Sequence, residues 1–114
     1  MAARQGEIWY TLGMNVLHIE TSKQNIISVS FAYENNQFSK ELEQKFGSQV
    51  LVQLIQDVLA EAGVEMKDLD EITVSTGPGS YTGLRVGAAV ANALGYSLGI
   101  PVNGKKMEID LEYT

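Results

Sequence analysis

Apolar and polar residues alternate with period two over the first third of the chain, then recur with a helical period over most of the remainder. Asn15 to Glu20 (NVLHIE) sets Val16, His18 and Glu20 against Leu17 and Ile19, and Ile26 to Tyr33 (IISVSFAY) is rich in β-branched and aromatic residues. Two such runs joined by the short polar link Thr21–Asn25 predict an antiparallel hairpin. Glu34-Asn35-Asn36-Gln37 reads as the next turn. Phe38 to Phe46 fits two periods, because Phe38, Leu42 and Phe46 share a face of a helix and also a face of a strand. A break at Gly47-Ser48 that doubles as a helix N-cap favours a third strand.

Gln49 to Ala62 gives the clearest helical signal. Val50, Leu51, Leu54, Ile55, Val58, Leu59 and Ala62 form one broad apolar face, and Gly63 supplies a C-terminal stop. After an acidic link, Ile72-Thr73-Val74-Ser75 reads as a short buried strand. Gly77-Pro78-Gly79 then turns into a second helix from Ser80 to about Leu98. Ile100-Pro101-Val102 and the alternating Met107, Ile109, Leu111 and Tyr113 suggest one or two late strands. The order β-β-β-α-β-α-β predicts an α/β fold, a mixed five-stranded sheet with two main helices. Residues 1–13 stand apart as a weakly ordered extension, leaving residues 14–114 as one lobe.

Composition narrows the functional classes. A chain of 114 residues with 45% apolar and 19% charged residues suits one folded domain. A net charge of −6 disfavours strong direct binding to a phosphate backbone, so any role with RNA belongs to a basic partner. With no cysteine, disulfides, thiol catalysis and thiolate zinc sites are excluded. No apolar run is long enough to span a bilayer, and the first residues lack the apolar stretch of a signal peptide. These features suggest a cytoplasmic protein away from membranes.

The turn Ser75-Thr76-Gly77-Pro78-Gly79-Ser80-Tyr81-Thr82 follows a strand and opens a helix. That arrangement can hold an anion, with Gly77, Gly79, Ser80 and Thr82 as the candidate residues. It also serves simply to set helix against sheet. Neither common phosphate fingerprint fits: the third glycine comes one place late, at Gly83, and no lysine follows. Beyond it, Gly83, Gly87, Ala91, Gly95 and Gly99 recur every four residues and make one smooth stripe on a helix. A helical glycine costs about 1 kcal/mol relative to alanine, so the stripe implies a close approach by something. Two occupants remain open, the chain's own sheet and a partner helix, because Val86, Val90 and Leu94 give the helix a second apolar row.

The segment GPGSYTGLRVG (Gly77–Gly87) closely resembles the signature of the TsaB (YeaZ) family of the bacterial threonylcarbamoyladenosine pathway. VLHIETS (Val16–Ser22) is similar to that family's opening strand, LVQLIQDVLAEAGVEMKDLDEITVSTGPGS (Leu51–Ser80) to its helix–link–strand run, and ALGYSLGIPVNG (Ala93–Gly104) to its helix exit. The resemblance implies a single ASKHA (actin/Hsp70-like) lobe. It also implies a non-catalytic scaffold that supports a TsaD-like enzyme and a TsaE-like ATPase in modifying a tRNA adenosine beside the anticodon. The two helices would pack against those of the enzyme, or of a second copy in a homodimer. That places Leu51, Leu54, Ile55, Val58, Tyr81, Gly83, Leu84, Arg85, Gly87, Ala88, Ala91 and Gly95 at the interface, with tRNA met only through partners. Family members are usually about twice as long, with a second lobe, and one lobe cannot enclose a nucleotide. Glu20 stands where an Asp is typical, and the match ends after Gly104.

Chemistry-bearing residues are few. His18 is the sole histidine, which precludes a His-x-x-x-His metal site and leaves Ser80 without an evident base, so no catalytic residue, metal or cofactor is expected. Glu20 with Thr21-Ser22 suggests either a metal–phosphate site or a capped turn. Arg85 suits a partner carboxylate or a phosphate, or else is a solvated helix charge, and Glu61, Glu65, Asp68, Asp70 and Glu71 read as a solvated acidic rim or a surface for a basic partner.

Overall fold

The computed structural model describes residues 13–43 and 47–104. Four strands, β1 (Val16–Glu20), β2 (Ile26–Tyr33), β3 (Asn36–Glu43) and β4 (Glu71–Val74), form one sheet in the order β3-β2-β1-β4. Both hairpins, β1–β2 and β2–β3, are antiparallel, whereas β4 runs parallel to β1. The register explains the alternation in the sequence. Leu17 pairs with Phe31 and Ile72, and Ile19 with Val29 and Val74, so all of these share one face. His18, Glu20, Ser28, Ser30 and Thr73 fall on the opposite, half-exposed face.

Two helices, α1 (Ser48–Ala62) and α2 (Tyr81–Leu98), cover the apolar face. Helix α1 lies over β2 and β3, α2 over β1 and β4, and the helices touch each other. Leu51, Leu54, Ile55, Val58 and Leu59 of α1 join Val90 and Ala91 of α2 and the inward strand residues in a single core. Burying side chains of this size contributes roughly 1.5–3 kcal/mol each, which decides the ambiguous third segment. As a strand, it places Phe38 and Leu42 against that core and lets Lys40 reach Glu61 on α1 at 3.4 Å. Phe46 lies outside the described residues.

Helix ends follow the glycines more than the hydroxyls. Gly63 and Gly99 close α1 and α2 in the left-handed conformation, at φ 77° and 70°. Ser80 caps α2, its Oγ accepting from the Gly83 N–H at 3.2 Å. Ser48 does not cap α1: it lies inside the helix, and the N-cap position is Gly47, which has no side chain to accept a bond. The expected fifth strand reduces to one parallel bridge, Ile72 to Val102, on the outer edge of β4. Residues 107–113 and 1–12 lie outside the described residues.

Asn103 ends the bridge in a specific way. Its side-chain carboxamide stands in for the next peptide of a strand, accepting from Val74 N–H at 2.8 Å and donating to Val74 C=O at 2.9 Å. Its own φ of 51° is one that Asn tolerates better than most residues. Both Val74 groups are otherwise buried polar atoms without partners. Asn103→Ala is therefore expected to lower stability by about 2 kcal/mol, read as a shift of the urea midpoint, with Asn103→Asp at least as damaging because a carboxylate then faces the Val74 carbonyl.

Candidate functional site

The glycine stripe faces inward. A Cβ at Gly83 would collide with the Thr21 carbonyl oxygen, one at Gly87 with Thr21 Oγ1, and one at Gly95 with the Val102 side chain. Gly79 is held in the same way, since a Cβ there would meet Ser22 O at 2.5 Å and Ser22 Cβ at 2.8 Å. The missing side chains let α2 settle backbone-close onto the end of β1. Of the two occupants open in the sequence, the chain's own sheet is the one found. The expected interface set is corrected accordingly. Leu51, Leu54, Ile55, Val58, Gly83, Leu84, Gly87, Ala88, Ala91 and Gly95 are all buried by this chain itself. Of that set, only Tyr81 and Arg85 point outward.

Seating the stripe inward turns the other side of α2 to solvent. At 100° per residue, Tyr81, Thr82, Arg85, Ala89, Ala93 and Tyr96 fall within one outward sector, and each is exposed. Tyr81 and Tyr96, 55% and 74% exposed, are two of the large apolar side chains left open among the described residues. Arg85 lies over the Tyr81 ring, 5.5 Å from its centroid, and donates to its hydroxyl at 3.2 Å. Ala89, Ala93 and Tyr96 carry no local pattern of their own in the sequence. The signal for them is the complement of the stripe, the positions on the side of the helix turned away from its mean direction.

The candidate anion loop gathers at one end of the sheet, beside the β1–β2 turn. Gly77-Pro78 is a cis peptide. Ser80 donates its backbone N–H to Ser22 O at 2.8 Å and turns its hydroxyl onto the helix, while Thr82 faces out. The Ser80 N–H thus ties the helix start to the segment that follows β1, while its hydroxyl caps the helix.

On the open face of the sheet, His18 Nδ1 lies 2.7 Å from Thr73 Oγ1, and His18 Nε2 lies 3.8 Å from Glu20 Oε1. Glu20 Oε2 accepts from the Ser22 N–H at 3.0 Å and from the Ser22 hydroxyl. The imidazole beside it, with these Ser22 donors, holds the Glu20 carboxyl at about 2 against the opposing effect of burial. Among the described residues, no group of three or more His, Cys, Asp or Glu side chains is placed to hold a metal ion. No helix among them is long and apolar enough to cross a membrane.

The acidic rim is also corrected in part. Glu65 and Asp68 form a reciprocal capping box, and Asp70 Oδ2 accepts the Asn15 N–H at 2.8 Å. Glu71 is 1% exposed, with Oε2 bound to the Gly104 N–H at 2.8 Å and Oε1 unpartnered, and burial pushes its carboxyl up to about 7.

A family model described as TsaD, tRNA N6-adenosine threonylcarbamoyltransferase, matches residues 40–104. A tRNA N6-adenosine threonylcarbamoyltransferase of Nitrosospira multiformis is 52% identical over 54 residues, which are 47% of this chain and 16% of that one. The tRNA threonylcarbamoyladenosine biosynthesis protein TsaB of Haemophilus influenzae is 31% identical over 90 residues, 78% of this chain and 38% of the relative. The solved structure of YeaZ from Pseudomonas aeruginosa superposes with a TM-score of 0.72 at 31% identity, over 78% of this chain and 42% of that one. The chain thus spans less than half the length of each of these relatives.

Two outcomes follow from the geometry. Gly87→Ala is expected to cost about 1–3 kcal/mol by overpacking against Thr21, and Gly83→Ala more, since it meets a backbone carbonyl; thermal unfolding checks both. Glu71 and Glu20 act oppositely with pH. Between about 4.5 and about 7, Glu71 is ionised when unfolded but protonated when folded, so its contribution to stability is lost as pH rises through that window. Glu20 contributes above about 4.5, and that contribution is lost as pH falls toward about 2. Glu71→Gln is expected to flatten the decline on the alkaline side and raise the unfolding midpoint at pH 8.

Proposed function

Because the chain belongs to the TsaD family of tRNA N6-adenosine threonylcarbamoyltransferases, and is TsaB/YeaZ-like within it, we propose that it acts in tRNA threonylcarbamoyladenosine biosynthesis as a non-catalytic scaffold. In this reading the lobe docks onto a TsaD-type enzyme and supports its activity, and a TsaE-type ATPase joins the same assembly. The net charge of −6 fits a subunit that leaves contact with tRNA to its partners, in the cytoplasm where tRNA is modified.

The observation that carries the proposal is the outward face of α2. Fifteen residue steps separate Tyr81 from Tyr96, about 22 Å at 1.5 Å per residue, so the face offers four turns to a partner helix. Aromatic residues stand near its two ends, and the small side chains of Ala89 and Ala93 lie between them. Such a profile lets a partner helix approach closely in the middle and be gripped at both ends. Exposed tyrosines and an arginine are the residue types that dominate binding energy at interfaces. Arg85 adds a preference for a carboxylate on the facing surface.

Ala89→Glu tests the reading, since the position is solvent-exposed and glutamate is a good helix former. The expected result is at least tenfold weaker association with the TsaD homologue of the same source, at an unchanged unfolding midpoint. Undiminished association would contradict the proposal. Saturable binding of ATP and magnesium by the chain alone would instead favour the reading in which Gly77–Thr82 holds a phosphate.

A further inference from the structure

The carboxylate at the end of β1 has no partner in the proposed function, yet it stands at the start of a continuous set of contacts leading to the docking helix. Glu20 Oε2 gathers the Ser22 N–H and the Ser22 hydroxyl, which folds the chain back at Thr21–Ser22. The Ser22 carbonyl thereby faces α2 and accepts the Ser80 N–H at 2.8 Å. On either side of that bond the fit is steric. Ser22 occupies the space where Gly79 lacks a side chain, and Thr21 occupies the space at Gly83 and Gly87. Thr21 is fully buried there. Tyr81 and Arg85 project from the same first turns, on the side of the helix away from Thr21.

We infer that Glu20 is a positioning residue: by holding Ser22 in its turned-back conformation, it fixes the N-terminal turns of α2 and so aims Tyr81 and Arg85 at the partner. The inference rests on the docking reading above. It gives the Glu20 carboxylate a role in orienting a protein interface, in place of a metal or phosphate contact. The lever is short and rigid. One carboxylate oxygen holds two donors of a single residue, and that residue's carbonyl holds the helix start. Loss of the carboxylate frees Ser22 to turn outward and removes the acceptor from Ser80. The far end of α2, anchored by Gly95 against Val102, has no link to this device and keeps its place.

The test compares Glu20→Ala, Ser22→Ala and Ser22→Thr with the unaltered full chain, using two readouts well below the unfolding midpoint. One is the affinity for the TsaD homologue of the same source; the other is amide hydrogen exchange along α2. Glu20→Ala and Ser22→Ala are expected to weaken association roughly tenfold, the size of one lost charge-assisted hydrogen bond. They are also expected to speed exchange roughly tenfold at residues 81–84 while leaving residues 90–98 unchanged. Ser22→Thr, which keeps the hydroxyl, is expected to restore both. A merely structural role would lower the midpoint and speed exchange along the whole helix without altering the affinity of the folded protein, and that result overturns the inference. If Glu20→Ala fails to fold, the Ser22 pair carries the same comparison. If the unaltered chain does not bind the homologue, the docking reading fails on its own, and exchange at residues 81–84 still decides whether Glu20 holds the helix start.

Discussion

The structure depends on one contact, the turned-back end of β1 lying against a side-chain-poor strip of α2. Thr21 and Ser22 occupy the space that side chains at Gly79, Gly83 and Gly87 would need. Helical glycines weaken a helix by about 1 kcal/mol each, and the strip is tolerated because backbone-close packing offsets that loss. The contact does more than stabilise. It fixes the rotation of α2 about its own axis, and that rotation decides which residues meet solvent. With the glycines turned inward, the exposed residues of the outward sector are Tyr81, Thr82, Arg85, Ala89, Ala93 and Tyr96. The proposed docking face is thus defined by what the glycines exclude rather than by the glycines themselves.

Much of the fold was legible because its signals were local. Alternation in Val16–Glu20 and Ile26–Tyr33, the apolar face of α1, and the glycines at 63 and 99 each carry their own physical reason. The third strand is legible from the break at Gly47 that follows it. The occupant of the glycine stripe was not legible. A row of small residues announces close approach but is silent on what approaches, and the answer lies in Thr21, more than sixty residues earlier. The outward face is not legible for the same reason, since it is defined only by the inward one.

Electrostatic roles were the least legible part. Glu71 sits in a run of acidic residues that suggests a solvated rim, but as the first residue of β4 it pairs with Val16 and is taken out of water. Glu20 reads as a possible phosphate or metal contact, whereas its geometry ties it to Ser22. In each case the side chain's role comes from register and chain reversal, which no single stretch of sequence states. The Asn103 carboxamide, acting as a surrogate peptide for Val74, is a third case of this kind.

Hydroxyl-radical footprinting of the tyrosines, with and without the TsaD-type enzyme, tests the central claim most directly. Tyr33, Tyr81 and Tyr96 are all exposed in the lobe, and Tyr33 lies at the end of β2, away from α2, so it serves as an internal reference. The account predicts that the enzyme protects Tyr81 and Tyr96 from oxidation and leaves Tyr33 as reactive as before. Protection of Tyr33 with Tyr81 and Tyr96 still fully reactive would show that the partner sits elsewhere, and that the orientation of α2 has no bearing on its docking.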